Sequence, residues 1–338
     1  MVENASMNEL APDQNRAQPS VVLKKFVDPD ITASGEPRAR IALRKLETLW
    51  INTGTLCNIE CVGCYIESSP KNDRLVYFPK QDAADLFDEI AQHDLGTQLI
   101  GFTGGEPFMN PDMCDMARDA LTRGFDVLIL TNAMQPMQRP HILKALLQLR
   151  QDFGKKLAIR VSLDHFSKEL HESERGADTW EHAIRGLDWL SQNGFNISIA
   201  GRTCWNETEE ASRKGYRQLI DEHDYKIEAN NPEQLLLLPE MNDNDDVPEI
   251  TTACWDILNV DPNDIMCASS RMVVKRKGEK RPSVVPCTLL PYDLAFHMGE
   301  TLSEASQVDG GSFDQGQVKL NHHYCSKFCV LGGGTCSS

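Results

Sequence analysis

Between residues 46 and 240, short apolar runs alternate with longer segments whose apolar residues return at helical spacing, and no other feature narrows the fold as far. Runs at 48–53, 99–103, 127–131, 157–163, 196–201 and 235–238 read as strands. Segments 79–93, 112–123, 141–150, 179–192 and 207–222 read as helices. Ala83, Leu86, Phe87 and Ile90 fall on one face of the first, and Trp180, Ile184, Leu187 and Leu190 on one face of the fourth. Gly124 and Asn193-Gly194 supply stop signals. Strands and helices in strict alternation imply an α/β fold, a parallel sheet or barrel. Functional loops of such folds gather at the carboxyl ends of the strands.

Residues 1–40 are polar and read as an N-terminal extension, and the acidic stretch 239–249 as a linker. The chain thus divides into 1–40, an α/β unit at 41–245, and a cysteine-rich unit at 246–338. A hairpin is expected within 272–285, turning near Gly278. With 34 Lys and Arg against 50 Asp and Glu, the formal net charge of −16 makes nucleic acid a poor partner. No apolar run approaches the ~18 residues that span a bilayer, and the first twenty residues hold no apolar signal core. The expected location is the cytoplasm, without a membrane partner. There, 11 cysteines point to metal rather than disulfides.

Cys57-Asn58-Ile59-Glu60-Cys61-Val62-Gly63-Cys64 places three thiols on a loop directly after the first strand. Structural zinc takes four ligands, usually as paired knuckles, and neither a second pair at that spacing nor a histidine lies nearby. A [4Fe–4S] cluster held by three cysteines would keep one iron open.

This CxxxCxxC loop resembles the radical S-adenosylmethionine (radical SAM) superfamily. The resemblance implies a partial (β/α)6 barrel and a cluster whose open iron is chelated by S-adenosylmethionine. It also implies reductive cleavage to a 5′-deoxyadenosyl radical that abstracts hydrogen from substrate, chemistry that belongs to the cofactors. Gly104-Gly105-Glu106-Pro107, after the second strand, matches the family's GGEP motif, whose carboxylate and backbone receive the methionine ammonium. Ser162-Leu163-Asp164, ending the fourth strand, resembles the ribose-contacting segment. Asn132 and Arg202, after the third and fifth strands, stand where relatives touch the cofactor's polar ends. Many relatives carry an aromatic residue just before the third cysteine, near adenine; here Gly63 stands there and Tyr65 follows the cysteine. Tyr65 swinging in, or a close backbone approach at Gly63, would supply that contact.

Beyond the linker, Cys267 and Cys287 flank the expected hairpin, followed by Cys325, Cys329 and Cys336. This pattern resembles the family's twitch or SPASM-type extensions, and the number of cysteines allows one auxiliary cluster. Cys267, Cys287, Cys329 and Cys336 are the favoured ligands, with Cys325 in reserve. Zinc in the same thiols is the competing assignment, since both metals accept tetrahedral sulfur. Cys114 and Cys204 read as small buried hydrophobes.

Arg271, Lys275, Arg276, Lys277, Lys280 and Arg281 make the hairpin basic, a docking point for a flavodoxin-like or ferredoxin-like electron donor or a merely solvated face. The expected substrate is a small molecule or peptide. The alternative is a non-catalytic iron–sulfur or zinc protein in electron transfer, sensing or assembly. No catalytic acid or base is identified; Glu67, Asp73, Arg74, His165 and Cys204 are candidates by position alone.

Overall fold

Parallel strands covered on both faces need apolar side chains at nearly every position, and the first long strand, TLWIN, is buried throughout. The computed structural model describes residues 24–239 and 246–332. A two-residue strand β1 (Arg40–Ile41) precedes β2 (Thr48–Asn52), α1 (Lys80–Gln92), β3 (Leu99–Thr103) and α2 (Met113–Thr122). Next come β4 (Asp126–Thr131), α3 (Pro140–Phe153), β5 (Leu157–Ser162), α4 (Lys168–Arg175) and α5 (Thr179–Gln192). Strand β6 (Asn196–Thr203), helix α6 (Glu209–Glu222) and strand β7 (Leu235–Pro239) follow. The helical segments lie within three residues of their expected bounds, except that α4 was not anticipated.

Strands β2 to β7 pair in parallel in chain order, as helical crossovers require. Helix α1 buries Ala83, Leu86, Phe87 and Ile90, each large side chain contributing about 2 kcal/mol by transfer from water. Gly101 lets the Trp50 ring lie flat across β3, because a Cβ there would stand 2.4 Å from Trp50 Cε3.

The hairpin expected after the linker continues this same sheet. Strand β8 (Ser270–Val274) pairs in parallel with β2, and β9 (Ser283–Val285) pairs antiparallel with β8. Short helices α7 (Cys254–Leu258) and α8 (Leu302–Ala305) and strands β10 (Phe313–Asp314) and β11 (Gln317–Lys319) complete the described chain. The N-terminal extension is anchored where it is described. Strand β1 pairs with β11, and Arg38 forms a buried ion pair with Glu249 at 2.6 Å. No described helix is long and apolar enough to cross a membrane.

Candidate functional site

Six parallel strands deliver their following loops to one edge of the sheet, and a cavity of about 230 Å³ lies there. The cysteine loop forms one wall. Its backbone is pinned by Cys57 N–H to Ser69 O (3.1 Å), Val62 N–H to Glu174 O (2.8 Å) and Cys64 N–H to Cys61 O (3.4 Å). Cys57, Cys61 and Cys64 are free thiols lining the cavity. Burial pushes Cys57 up to about 12 and raises Cys61, so neither thiol ionises at neutral pH without a cation. Cysteine thiolates are the ligands that iron–sulfur clusters take. Among the described residues, no three Cys, His, Asp or Glu side chains already stand at ligating separation.

Gly104 and Gly105 form the adjoining wall. The Gly105 N–H donates to Gly54 O at 2.7 Å, and the Glu106 N–H to Leu56 O at 3.1 Å. A Cβ at Gly105 would lie 2.2 Å from Leu56 O, and Gly104 has φ +137°. Only glycines let this turn close on the cysteine loop. Glu106 does not line the cavity. Its carboxylate accepts from Thr131 Oγ1 (2.8 Å), Asn132 N–H (2.9 Å) and Phe108 N–H (3.2 Å). Three donors at the β3 and β4 ends hold it there, and burial outweighs them, pushing it up to about 7. Glu106 thus braces the strand ends, while the glycine backbone meets the cavity.

Asn132, Ser162, Asp164, Arg202 and Tyr65 all line the cavity. Asn132 Nδ2 donates to Asn58 Oδ1 at 2.9 Å, tying β4 to the cysteine loop. Asp164 accepts both arms of Arg175, at 2.8 and 2.9 Å. Burial pushes the Asp164 carboxyl up, but Arg175, aided by Arg202, outweighs it and holds the carboxyl below its usual range. Arg202 bonds Glu174 at 2.7 Å. A Cβ at Gly63 would stand 2.3 Å from Arg202 Nη1, so the guanidinium occupies the space that a side chain there would fill.

Arg175, Glu174, Thr131 and Arg160 join this site without having been singled out in the sequence. The first two ride on α4, whose segment KELHESER carries no apolar period to announce a helix. Its signal was acidic and basic residues just beyond the Ser162–Asp164 strand end. Glu67, Asp73, Arg74, His165 and Cys204 are absent from the cavity wall. Asp73 pairs with Lys277 at 2.5 Å, Arg74 stacks on the Tyr292 ring at 3.7 Å and pairs with Glu67, and His165 lies 3.2 Å from Glu207.

Cys267, Cys287 and Cys325 are buried in the shared core. Burial, reinforced by Cys267, pushes Cys325 up to about 12. Cys325 is thus near Cys267, and Cys329 lines the main cavity along with Phe328 and Met266. Cys336 lies outside the described residues. Cys114 packs against the core, and burial pushes it up to about 11.

Residues 51–212 match the family model described as the Radical SAM superfamily. The subtilosin biosynthesis protein AlbA of Bacillus subtilis (strain 168) is 29% identical over 147 residues, covering 43% of this chain and 30% of AlbA. Streptococcus suis SuiB bound to S-adenosylmethionine superposes with a TM-score of 0.53 at 12% identity, over 75% of this chain and 63% of SuiB. An anSMEcpe chain with bound AdoMet gives 0.55 at 17% identity, over 78% and 77%. The two structures share the fold. The chain spans less than half the length of the curated relatives it matches.

Proposed function

With residues 51–212 a radical SAM domain, we propose that this chain is a radical SAM enzyme acting on a small molecule or peptide at the cavity beside Cys57, Cys61 and Cys64. A [4Fe–4S] cluster held there by Cys57, Cys61 and Cys64 would supply the one-electron chemistry for reductive cleavage of S-adenosylmethionine, the source of the radical that abstracts hydrogen. The reading rests on one observation: the three thiols share a cavity with the Gly104-Gly105 backbone, Ser162, Asp164 and Arg202.

The chain's own groups divide the work. Gly104 and Gly105 offer backbone to the methionine end, and Glu106 holds the β3 and β4 termini in register. Asp164 and Ser162 present oxygens to ribose hydroxyls, with Arg175 keeping Asp164 ionised. Arg202, seated on Gly63, faces the adenine side or the carboxylate. Leu236, Leu238, Met266, Leu289 and Phe328 exclude water from the rest of the cavity.

The strands β2 to β7 then form a partial (β/α)6 barrel, and the C-terminal region a twitch-type extension with one auxiliary cluster. Its ligands come from Cys267, Cys287 and Cys325 with Cys329 or Cys336. A bacteriocin biosynthesis protein among the relatives favours the peptide class of substrate. A flavodoxin-like or ferredoxin-like donor, in the cytoplasm, supplies electrons.

Anaerobic reconstitution tests the reading. About four iron and four sulfide per chain are expected for one cluster, and about eight of each with the auxiliary one. Dithionite should then release 5′-deoxyadenosine, and Cys61→Ala should abolish it. Zinc alone at the loop, or an intact sulfonium under strong reductant, overturns it.

A further inference from the structure

Gly63 holds the position, just before the third cysteine, at which many relatives carry an aromatic residue near adenine. The space is not empty. A Cβ on Gly63 would stand 2.3 Å from Nη1, 2.6 Å from Nη2 and 2.9 Å from Cζ of Arg202, so the tip of the guanidinium sits where an aromatic side chain would begin. Both residues line the main cavity, and 13% of the Arg202 side chain is exposed. The backbone at residue 63 makes no demand for glycine, because its φ is not positive. The arginine alone makes that demand.

Arg202 is fixed from two sides. Its Nη1 donates to Glu174 Oε2 at 2.7 Å, and its backbone N–H donates to Asp164 O at 2.9 Å. The Glu174 carbonyl also accepts from Val62 N–H at 2.8 Å, so one residue of α4 holds both the guanidinium and the cysteine loop. A guanidinium already paired with one carboxylate is a poor receptor for a second, which Glu174 would repel. Its plane can still stack on an aromatic base. The order of the strands points the same way. Gly104 and Gly105 follow β3, Asn132 follows β4, Asp164 follows β5 and Arg202 lies on β6, and these strands are neighbours in that order. A molecule with its methionine end on the glycines and its ribose at Asp164 brings its adenine to the next strand, against Arg202.

We propose that the Arg202 guanidinium is the adenine platform of this chain, standing in for the missing aromatic residue, with Glu174 as the residue that positions it. The inference rests on the cofactor reading above and assigns to adenine a contact that the reading left between adenine and carboxylate. The ligand class it recognises is a 5′-thioadenosyl group, whatever else the sulfur carries.

Anaerobic calorimetric titration of the reconstituted full chain tests the proposal with two probes. 5′-Methylthioadenosine carries the base and ribose without a carboxylate, and S-adenosylhomocysteine adds the amino-acid end. Arg202→Gln should weaken both by about the same factor, roughly tenfold, because the lost contact is to the part they share. Arg202→Lys, which keeps the charge and loses the plane, should weaken 5′-methylthioadenosine in the same direction. Combining Gly63→Tyr with Arg202→Ala should restore most of that affinity, a rescue that a merely structural arginine would not show. Loss confined to S-adenosylhomocysteine would mean a carboxylate contact and overturn the proposal, as would a double variant no better than Arg202→Gln. Should Arg202→Gln fail to fold, Arg202→Lys decides. Iron content and 5′-deoxyadenosine release on the same preparations separate the two levels. A parent chain without iron that binds neither probe removes the cofactor reading itself, whereas a loaded parent chain that binds both, with no loss on Arg202→Gln, removes only the adenine assignment.

Discussion

His171 shows how one buried side chain sets a pH limit. It lies on α4, fully buried, edge-on to Trp180 at 5.5 Å, with no hydrogen-bond partner for either ring nitrogen among the described residues. Burial pushes its pKa down to about 4, Arg175 adding to the shift and Asp164 opposing it. The unfolded ring titrates near ~6.5, so between these values the unfolded chain binds the extra proton. Stability from the neutral ring is complete above the unfolded value and is lost as pH falls toward the folded one, by about 3 kcal/mol. His171→Phe should keep that increment. Urea unfolding from about pH 7 to about pH 4 should show the variant losing less stability than the parent chain, and parallel losses would refute the account. The same scale explains Gly63: Arg202 fills the volume a side chain would need, a fit that cysteine spacing alone does not reveal.

Among the elements, the β8–β9 hairpin departs most from a charge count. Its six cations do not form one open patch. Lys275 is buried on Asp82 at 2.7 Å and Arg271 is buried in the sheet, while Lys277 meets Asp73 at 2.5 Å and Arg281 meets Glu300 at 3.6 Å. Exposed Lys277, Lys280 and Arg281 are what a protein electron donor would meet. Reversing these three to Glu should slow reduction by flavodoxin at low salt about tenfold and leave dithionite reduction unchanged. Equal rates with flavodoxin before and after the reversal would remove the hairpin from donor binding. Helix α4 makes the complementary point. Polar at every position but Leu170, it carries Glu174 and Arg175 into the site, because a helix can be held by ion pairs as well as by an apolar stripe.

At the scale of the molecule, the first described residues are joined to the segment around Glu249 and to Leu320. Glu249 accepts from Phe26 N–H and Ala33 N–H, both at 2.6 Å, and pairs with the buried Arg38, which also donates to Leu320 O at 3.2 Å. Glu249→Ala strands that guanidinium and should cost about 3–5 kcal/mol. Adding Arg38→Met should recover part of the loss, a result read from denaturation midpoints; a double variant no more stable than the single one would contradict it. The strand–helix alternation, the GGEP turn and the cysteine loop were legible in the residues themselves, because helix period, strand burial and metal-ligand spacing are local properties of a chain. What local pattern could not fix is which distant groups meet. Cys325 buried near Cys267, Glu106 bonded to Thr131, Arg175 on Asp164 and residues 24–41 anchored to the C-terminal region were all decided by packing. Each depends on the relative placement of segments that only the assembled fold brings within a few ångströms of one another.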